Sequence, residues 1–146
     1  MSDLHAQQLV VFTLAGEQYG LPIAAVHEII RYTEPRSTAS ASPWTRGVIG
    51  LRGKIIPVYD LAIRLGLRPS DAPDGKIVIV ETADGHVGVV VDDVEEVLTV
   101  EADQLEDVPG TETDTVDAIA KVGDRLIVLL NPRHLFSVAP EAALAA

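Results

Sequence analysis

Short β-rich runs, each closed by a turn signal, are the feature that most limits what this chain can become. About nine or ten of them follow one another, with Gly, Pro, Asn or Asp punctuation every 8–12 residues or so. That spacing excludes alternating strands and long helices, and it predicts all-β barrels or sandwiches with short helices. Residues 8–15 and 19–23 read as a hairpin turning through Gly16-Glu17-Gln18. The next segment is ambiguous. Ile23, Val26 and Ile30 have helical spacing, whereas Val26, Glu28 and Ile30 alternate as a strand does. The reading adopted is a helical turn at 23–26 and a strand over 27–32. Residues 35–43 and 68–75 read as loops, and the second is the best linker, dividing the strands into two sets of about five. Beyond it come strands at 76–82 and 86–91, a break at Asp92-Asp93, a β-rich stretch to Val100 and an acidic loop over 101–115. A last hairpin spans 116–130. Asn131-Pro132 then opens a short helix with Leu135 and Phe136 turned inward.

The centre of the chain is residues 46–60. Val48, Ile49 and Leu51 form one apolar run, and Ile55, Ile56, Val58 and Tyr59 form another. Gly53 lies between them and can take φ > 0, so the chain reverses there. Pro57 has no amide proton, which predicts an edge strand or a bulge at that position. Asp60 is placed to cap a short helix that stops at Gly66. The hairpin thus holds Arg52 and Lys54 at its tip and Arg46 at its base, a rigid presentation of positive charge.

Composition narrows the classes. Of 146 residues, 47% are hydrophobic and 4% aromatic, so the core is aliphatic. There is no cysteine, hence no disulfide and no thiolate chemistry, which suits a reducing compartment. No basic-then-apolar leader and no run of about 20 apolar residues is present, so the expectation is a cytoplasmic chain with no direct membrane insertion. The formal charge of −11 argues against a nucleic-acid partner. It is unevenly spread. Residues 1–70 carry seven Lys/Arg against five Asp/Glu, and residues 71–146 carry four against seventeen. Two such faces suit two partner surfaces or simple solubility.

No catalytic residue, cofactor or metal site emerges. His5, His27, His86 and His134 are scattered without a ligand-type pair. Asp92, Asp93, Glu95 and Glu96 alternate across a strand and cannot converge on a cation; they read as a solvated acidic edge. Gly47, Gly50 and Gly53 are spaced for turns and packing rather than for phosphate. Ser37, Ser40 and Ser42 lack a nucleophile-elbow context. The features left for recognition are the Arg46/Arg52/Lys54 group, Arg52 above all, Glu28 flanked by Val26 and Ile29, and the run Val87 to Val91. That run reads first as core, with Gly88 permitting close approach by a neighbour.

The pattern Phe12-x-Leu14-x-x-Glu17-x-Tyr19-Gly20-Leu21-Pro22-Ile23, then Val26-His27-Glu28-Ile29-Ile30, then Trp44-x-Arg46-Gly47-Val48-Ile49-Gly50-Leu51-Arg52-Gly53 resembles the CheW family of bacterial chemotaxis coupling proteins. Pro57-Val58-x-Asp60-Leu61, Gly88-x-x-Val91-Asp92-x-Val94-x-x-Val97 and Leu130-Asn131 extend the resemblance. It implies one CheW-like domain over 8–138, with tails at 1–7 and 139–146. The implied fold is two five-stranded Src-homology-3-like β-barrel lobes on a shared hydrophobic core, with an approximate break near 68–76 and terminal strands that cross between lobes. It also implies a non-enzymatic adaptor, recruited to membrane receptor arrays. Its partners would be the regulatory domain of a CheA-type histidine kinase and the cytoplasmic hairpin tip of methyl-accepting chemotaxis proteins. The kinase domain resembles the adaptor, so barrel-to-barrel pairing and self-association in arrays are implied as well. By position, Val26, Glu28 and Arg52 match receptor-contact residues, with Val87, Val89 and Val90 lining the groove. Gly47, Val48, Gly50 and Leu51 are candidates for the kinase. Lys54 replaces an apolar residue of many members, and the second half is unusually acidic. A coupling protein of a related system, such as twitching motility or another kinase pathway, carries the same pattern. A small ligand-binding barrel or enzyme would need a convergent polar pocket.

Overall fold

The computed structural model describes residues 6–37, 43–68, 75–82, 85–107 and 115–135. The chain runs twice through one pattern of hairpin, crossing strand, second hairpin and short helix. In the first half, β1 (Gln7–Leu14) and β2 (Glu17–Pro22) form the first hairpin. A 3-10 turn at Ile23–Ala25 leads to β3 (Val26–Arg31). The second hairpin is β4 (Thr45–Leu51) with β5 (Lys54–Asp60), followed by helix α1 (Leu61–Arg64). In the second half, β6 (Lys76–Thr82) and β7 (Gly85–Val91) precede β8 (Asp93–Val100). A 3-10 turn at Ala102–Gln104, β9 (Leu105–Glu106), β10 (Val116–Val122), β11 (Arg125–Leu130) and α2 (Pro132–Leu135) complete it.

The halves exchange strands. One sheet has the order β8-β1-β2-β11-β10-β9 and the other β3-β6-β7-β5-β4. β3 leaves the first hairpin to pair with β6, and β8 leaves the third to pair with β1. The break expected near 68–76 therefore separates the two half-chains but not the two sheets, because hydrogen bonding ties β1 and β2 to strands from residues 93–130. Each sheet curls back on itself. The chain after β3 returns to β4 through Arg36, whose N–H and C=O both pair with Val48 at 2.8 and 2.9 Å. In the other sheet, β9 does the same against β10. Two small barrels result.

Three apolar clusters follow from this topology. Leu9, Val11, Ala120, Ile127 and Leu129 fill one barrel. Ile49, Ile56, Val58, Ile77, Ile79 and Val90 fill the other. Between them lies a shared core that includes Phe12, Leu14, Leu21, Val78, Val80, Val89, Leu130 and Leu135. Strand alternation sends Val78 and Val80 to the shared core and Ile77 and Ile79 to the barrel interior. Arg64 joins the halves. Its Nε donates to the Leu135 carbonyl at 2.7 Å, and its guanidinium lies 5.0 Å from the Trp44 ring centroid. Among the described residues no helix is long and apolar enough to cross a membrane.

Several local expectations change. The first hairpin turns at Ala15 and Gly16, with φ of 51° and 83°, rather than through Gly16-Glu17-Gln18. Positive φ at both positions matches the twist of the flanking strands. Pro57 lies on an interior strand and opposite no bulge; the irregularity in that hairpin falls between Thr45 and Gly47. Its missing donor goes unmissed for two reasons. Val48, across the hairpin, bonds Arg36 instead, and pairing of β5 with β7 begins only at Val58. The acidic stretch 101–115 contains β9, a strand too short to show periodicity. Gln7 belongs to β1 rather than to a tail. The inward placement of Phe136 concerns a residue outside those described.

Gly47 shows how tightly the barrel closes. Its φ is 141°, and a Cβ there would sit 2.0 Å from the Arg36 carbonyl oxygen. Gly50, three residues on, has no atom within 4 Å of its would-be Cβ. Gly47→Ala is expected to destabilise the fold by about 3 kcal/mol or more, because backbone must move. Gly50→Ala is expected to change stability by less than about 1 kcal/mol, both read by denaturant unfolding.

Candidate functional site

The β4–β5 hairpin turns on Arg52 and Gly53, with φ of 52° and 82°. A two-residue turn of this kind needs φ > 0 twice, and Arg52 accepts the left-handed region at about 1 kcal/mol. The turn aims the Arg52 guanidinium back across the barrel mouth, where Nη1 donates to Oε2 of Glu28 on β3. Glu28 follows a bulge at His27, since Val26 pairs with Val80 and Glu28 with Ile79. The bulge re-aims the carboxylate toward the mouth. The Arg52 hydrogen bond holds the Glu28 carboxyl below the usual carboxylate range. Desolvation opposes this, and the charges of Arg52, His27 and His86 assist it. The bridge thus clasps the two edge strands that the sheet brings together.

Arg46 is not part of that presented charge. Its Nε donates to Asp60 at 3.3 Å and its Nη1 to the Tyr32 hydroxyl at 3.1 Å, and Tyr32 in turn donates to Glu34. Asp60 is 2% exposed and also caps α1 through the Ile63 amide at 3.2 Å. The cap expected from sequence is therefore present, with Arg46 as its counter-ion. Burial opposes the charge on Arg46, but the Tyr32 and Asp60 contacts outweigh it and raise its pKa.

The other candidates separate. Val89 and Val90 are 0% and 1% exposed and face opposite sides of β7, one into the shared core and one into the barrel. Neither offers a surface to a partner. Val87 is 7% exposed, and β7 lies in the same sheet as β3 and β4. Val26 is half-buried against the shared core. Gly47 is buried under Arg36, Val48 spends both main-chain groups on Arg36, and Leu51 packs on the barrel interior. Gly50 alone of that group is exposed. Gly88 does meet a close neighbour, since a Cβ there would lie 2.8 Å from Ile77.

Some features had no sequence signal. His27 and His86, 59 positions apart, stack at 4.4 Å between ring centroids. Below Val58↔Gly88, β5 and β7 part, leaving a cleft of about 580 Å³ beside Ile55 and His86. The second barrel repeats the clasp. Arg125, first residue of β11, reaches Glu96 of β8 at 2.6 Å, and Glu96 likewise follows a bulge. Apart from Ile23, the large apolar residues exposed among those described also match. Ile29 follows Glu28 and Val97 follows Glu96, while Ile55 and Leu126 are the second residues of β5 and β11. β8 is the exposed acidic edge expected of it.

The family description "CheW-like domain" matches residues 8–139. This chain belongs to the CheW family. Among CheW relatives, the chemotaxis protein CheW of Klebsiella aerogenes is 31% identical over 136 residues, 90% of this chain and 82% of that protein. The chemotaxis protein CheW of Bacillus subtilis is 32% identical over 130 residues, 86% and 83% of the two chains. The crystal structure of the scaffolding protein TtCheW from Thermoanaerobacter tengcongensis superposes with a TM-score of 0.84 at 37% identity. It covers 90% of this chain and 93% of that one. The CheW fold is all-β in two barrels, as the resemblance implied.

The clasp has a pH signature. A carboxyl depressed in the folded state contributes stability that is present above its unfolded value and lost as pH falls through its folded one. Below about pH 4 the wild type is therefore expected to lose a contribution that Glu28→Gln lacks at every pH. Thermal midpoints of the two proteins, measured from pH 6 to 2.5, are expected to converge as the acid limb is descended.

Proposed function

We propose that this CheW protein is a non-enzymatic scaffold that couples a CheA-type histidine kinase to methyl-accepting chemoreceptors. One observation carries the reading. Both barrel mouths present the same kit, an arginine–glutamate clasp flanked by exposed apolar residues, Ile29 and Ile55 on one and Val97 and Leu126 on the other. Exposed apolar residues at matching places suit pairing with domains built on the same barrel, and a protein with two such faces can join a chain of them. The names of its relatives, chemotaxis proteins and a scaffolding protein, support the same role. Glu28 and Arg52 mark the mouth that presents Ile55, with Val26 and Val87 behind it. A scaffold of this kind acts by binding one kinase conformation better than another, since equal binding would shift nothing. Contacts on the order of micromolar would be individually weak, and multivalent assembly would make them stable.

The test is co-sedimentation with a CheA regulatory domain and a receptor cytoplasmic fragment, singly and together. Wild type is expected to pellet with both. Arg52→Ala and Ile55→Asp are expected to remain folded and to lose about tenfold or more in affinity for one partner. Unchanged complexes with both variants would remove this mouth as a docking face.

A further inference from the structure

The mouth of the β3–β7 barrel holds a pair of titratable groups that the clasp does not need. His27 sits at the bulge of β3 and is exposed; His86 is the second residue of β7 and half-buried. Their rings lie 4.4 Å apart and within 26° of parallel. β6 separates their strands, so the contact exists because the bulge throws His27 across it. Both imidazoles act on the charge of Glu28, the acceptor of the Arg52 bridge. Charged and titratable groups from every neighbouring element face this pair. Glu28 comes from β3, and Glu81 from β6 directly opposite His86. Lys54 and Tyr59 of β5 line the cleft beside His86, and Arg52 comes from the β4–β5 turn.

We propose that His27 and His86 form a pH-operated release on the Glu28–Arg52 clasp. With neutral imidazoles, two carboxylates face two fixed cations and the charges balance. An imidazole ordinarily takes up its proton near pH 6.5. Protonation places up to two further cations beside Glu28. They compete with Arg52 for the carboxylate and repel a guanidinium that cannot lose its own charge. Arg52 is 68% exposed along its side chain, so it has an open path to water. The release thus operates well above the pH at which Glu28 itself protonates. Its consequence for partner docking rests on the function proposed above; the release itself rests on the geometry of the mouth.

The experiment is NMR of the full chain, following the Arg52 guanidinium carbon (Cζ) signal from pH 8 to 3. In wild type the signal is expected to move from its ion-paired to its solvated position across the imidazole range. In the double variant His27→Gln/His86→Gln it is expected to hold until the Glu28 carboxyl protonates, about two pH units lower or more. The single variants, each with a dispersed folded spectrum, are expected to lie between. An Arg52 transition at the same pH in wild type and double variant overturns the proposal, as does a wild-type signal unmoved above pH 5. Kinase-domain affinity at pH 6 and 7.5 then separates the two readings. A ratio of about threefold or more in wild type, lost in the double variant, supports both. A ratio of one despite an observed release overturns the regulatory consequence, and absence of binding at either pH overturns the docking reading while the NMR result stands.

Discussion

Everything in this fold depends on a strand crossing over. A hairpin of six to eight residues per strand has two exposed edges and too little surface to bury a core alone. Here each half-chain sends its third strand away, β3 to β6 and β8 to β1, so that every hairpin is completed by the other half. The crossing creates the two barrels, and the hairpin strands β1, β2, β6, β7 and β11 supply most of the shared core between them. Phe12 and Leu14 from the first hairpin and Val78 and Val80 from the third can meet there only because the strands have been traded.

The barrel mouths inherit their character from the same event. A crossing strand arrives at its new sheet with a bulge, at His27 in one case and Glu95 in the other, and the next residue is a glutamate turned to the mouth. An arginine from the opposing hairpin meets it. Such exposed pairs are weak as sources of stability. Their effect is positional: they fix where a positive and a negative charge stand relative to the apolar residues beside them. Arg52 is held further by the left-handed turn that carries it. Arg46, with the same formal charge six residues earlier, is committed to Asp60 and serves the helix cap instead.

Much of this could be read from the residues. Strand identity, hairpin pairing within 46–60, the Asp60 cap and the acidic edge all follow from periodicity and turn chemistry, which act over a few positions. What could not be read depends on partners far along the chain. Nothing in β3 says that it pairs with β6. Pro57 reads as an edge residue from sequence alone, because the bonds of its cross-strand partner Val48 to Arg36 are set by barrel closure. Val89 and Val90 read as groove residues by position, but two facing layers bury both sides of β7. Histidines 59 positions apart carry no ligand-type spacing and still touch. The family pattern implies the two-barrel architecture and a crossing of terminal strands; which strands pair is visible only in the structure.

The exchange also has a consequence for how such a chain is made. β2 lies in parallel beside β11, and Gln18 accepts a hydrogen bond from Arg125, 107 positions later. On a ribosome, the first hairpin emerges with neither of its neighbours yet synthesised, since β8 and β11 are both still to come. It must wait, apolar face uncovered, until β8 and β11 have been translated. Folding of the first hairpin thus lags its own synthesis by about a hundred residues, and its apolar face is open to association in the meantime.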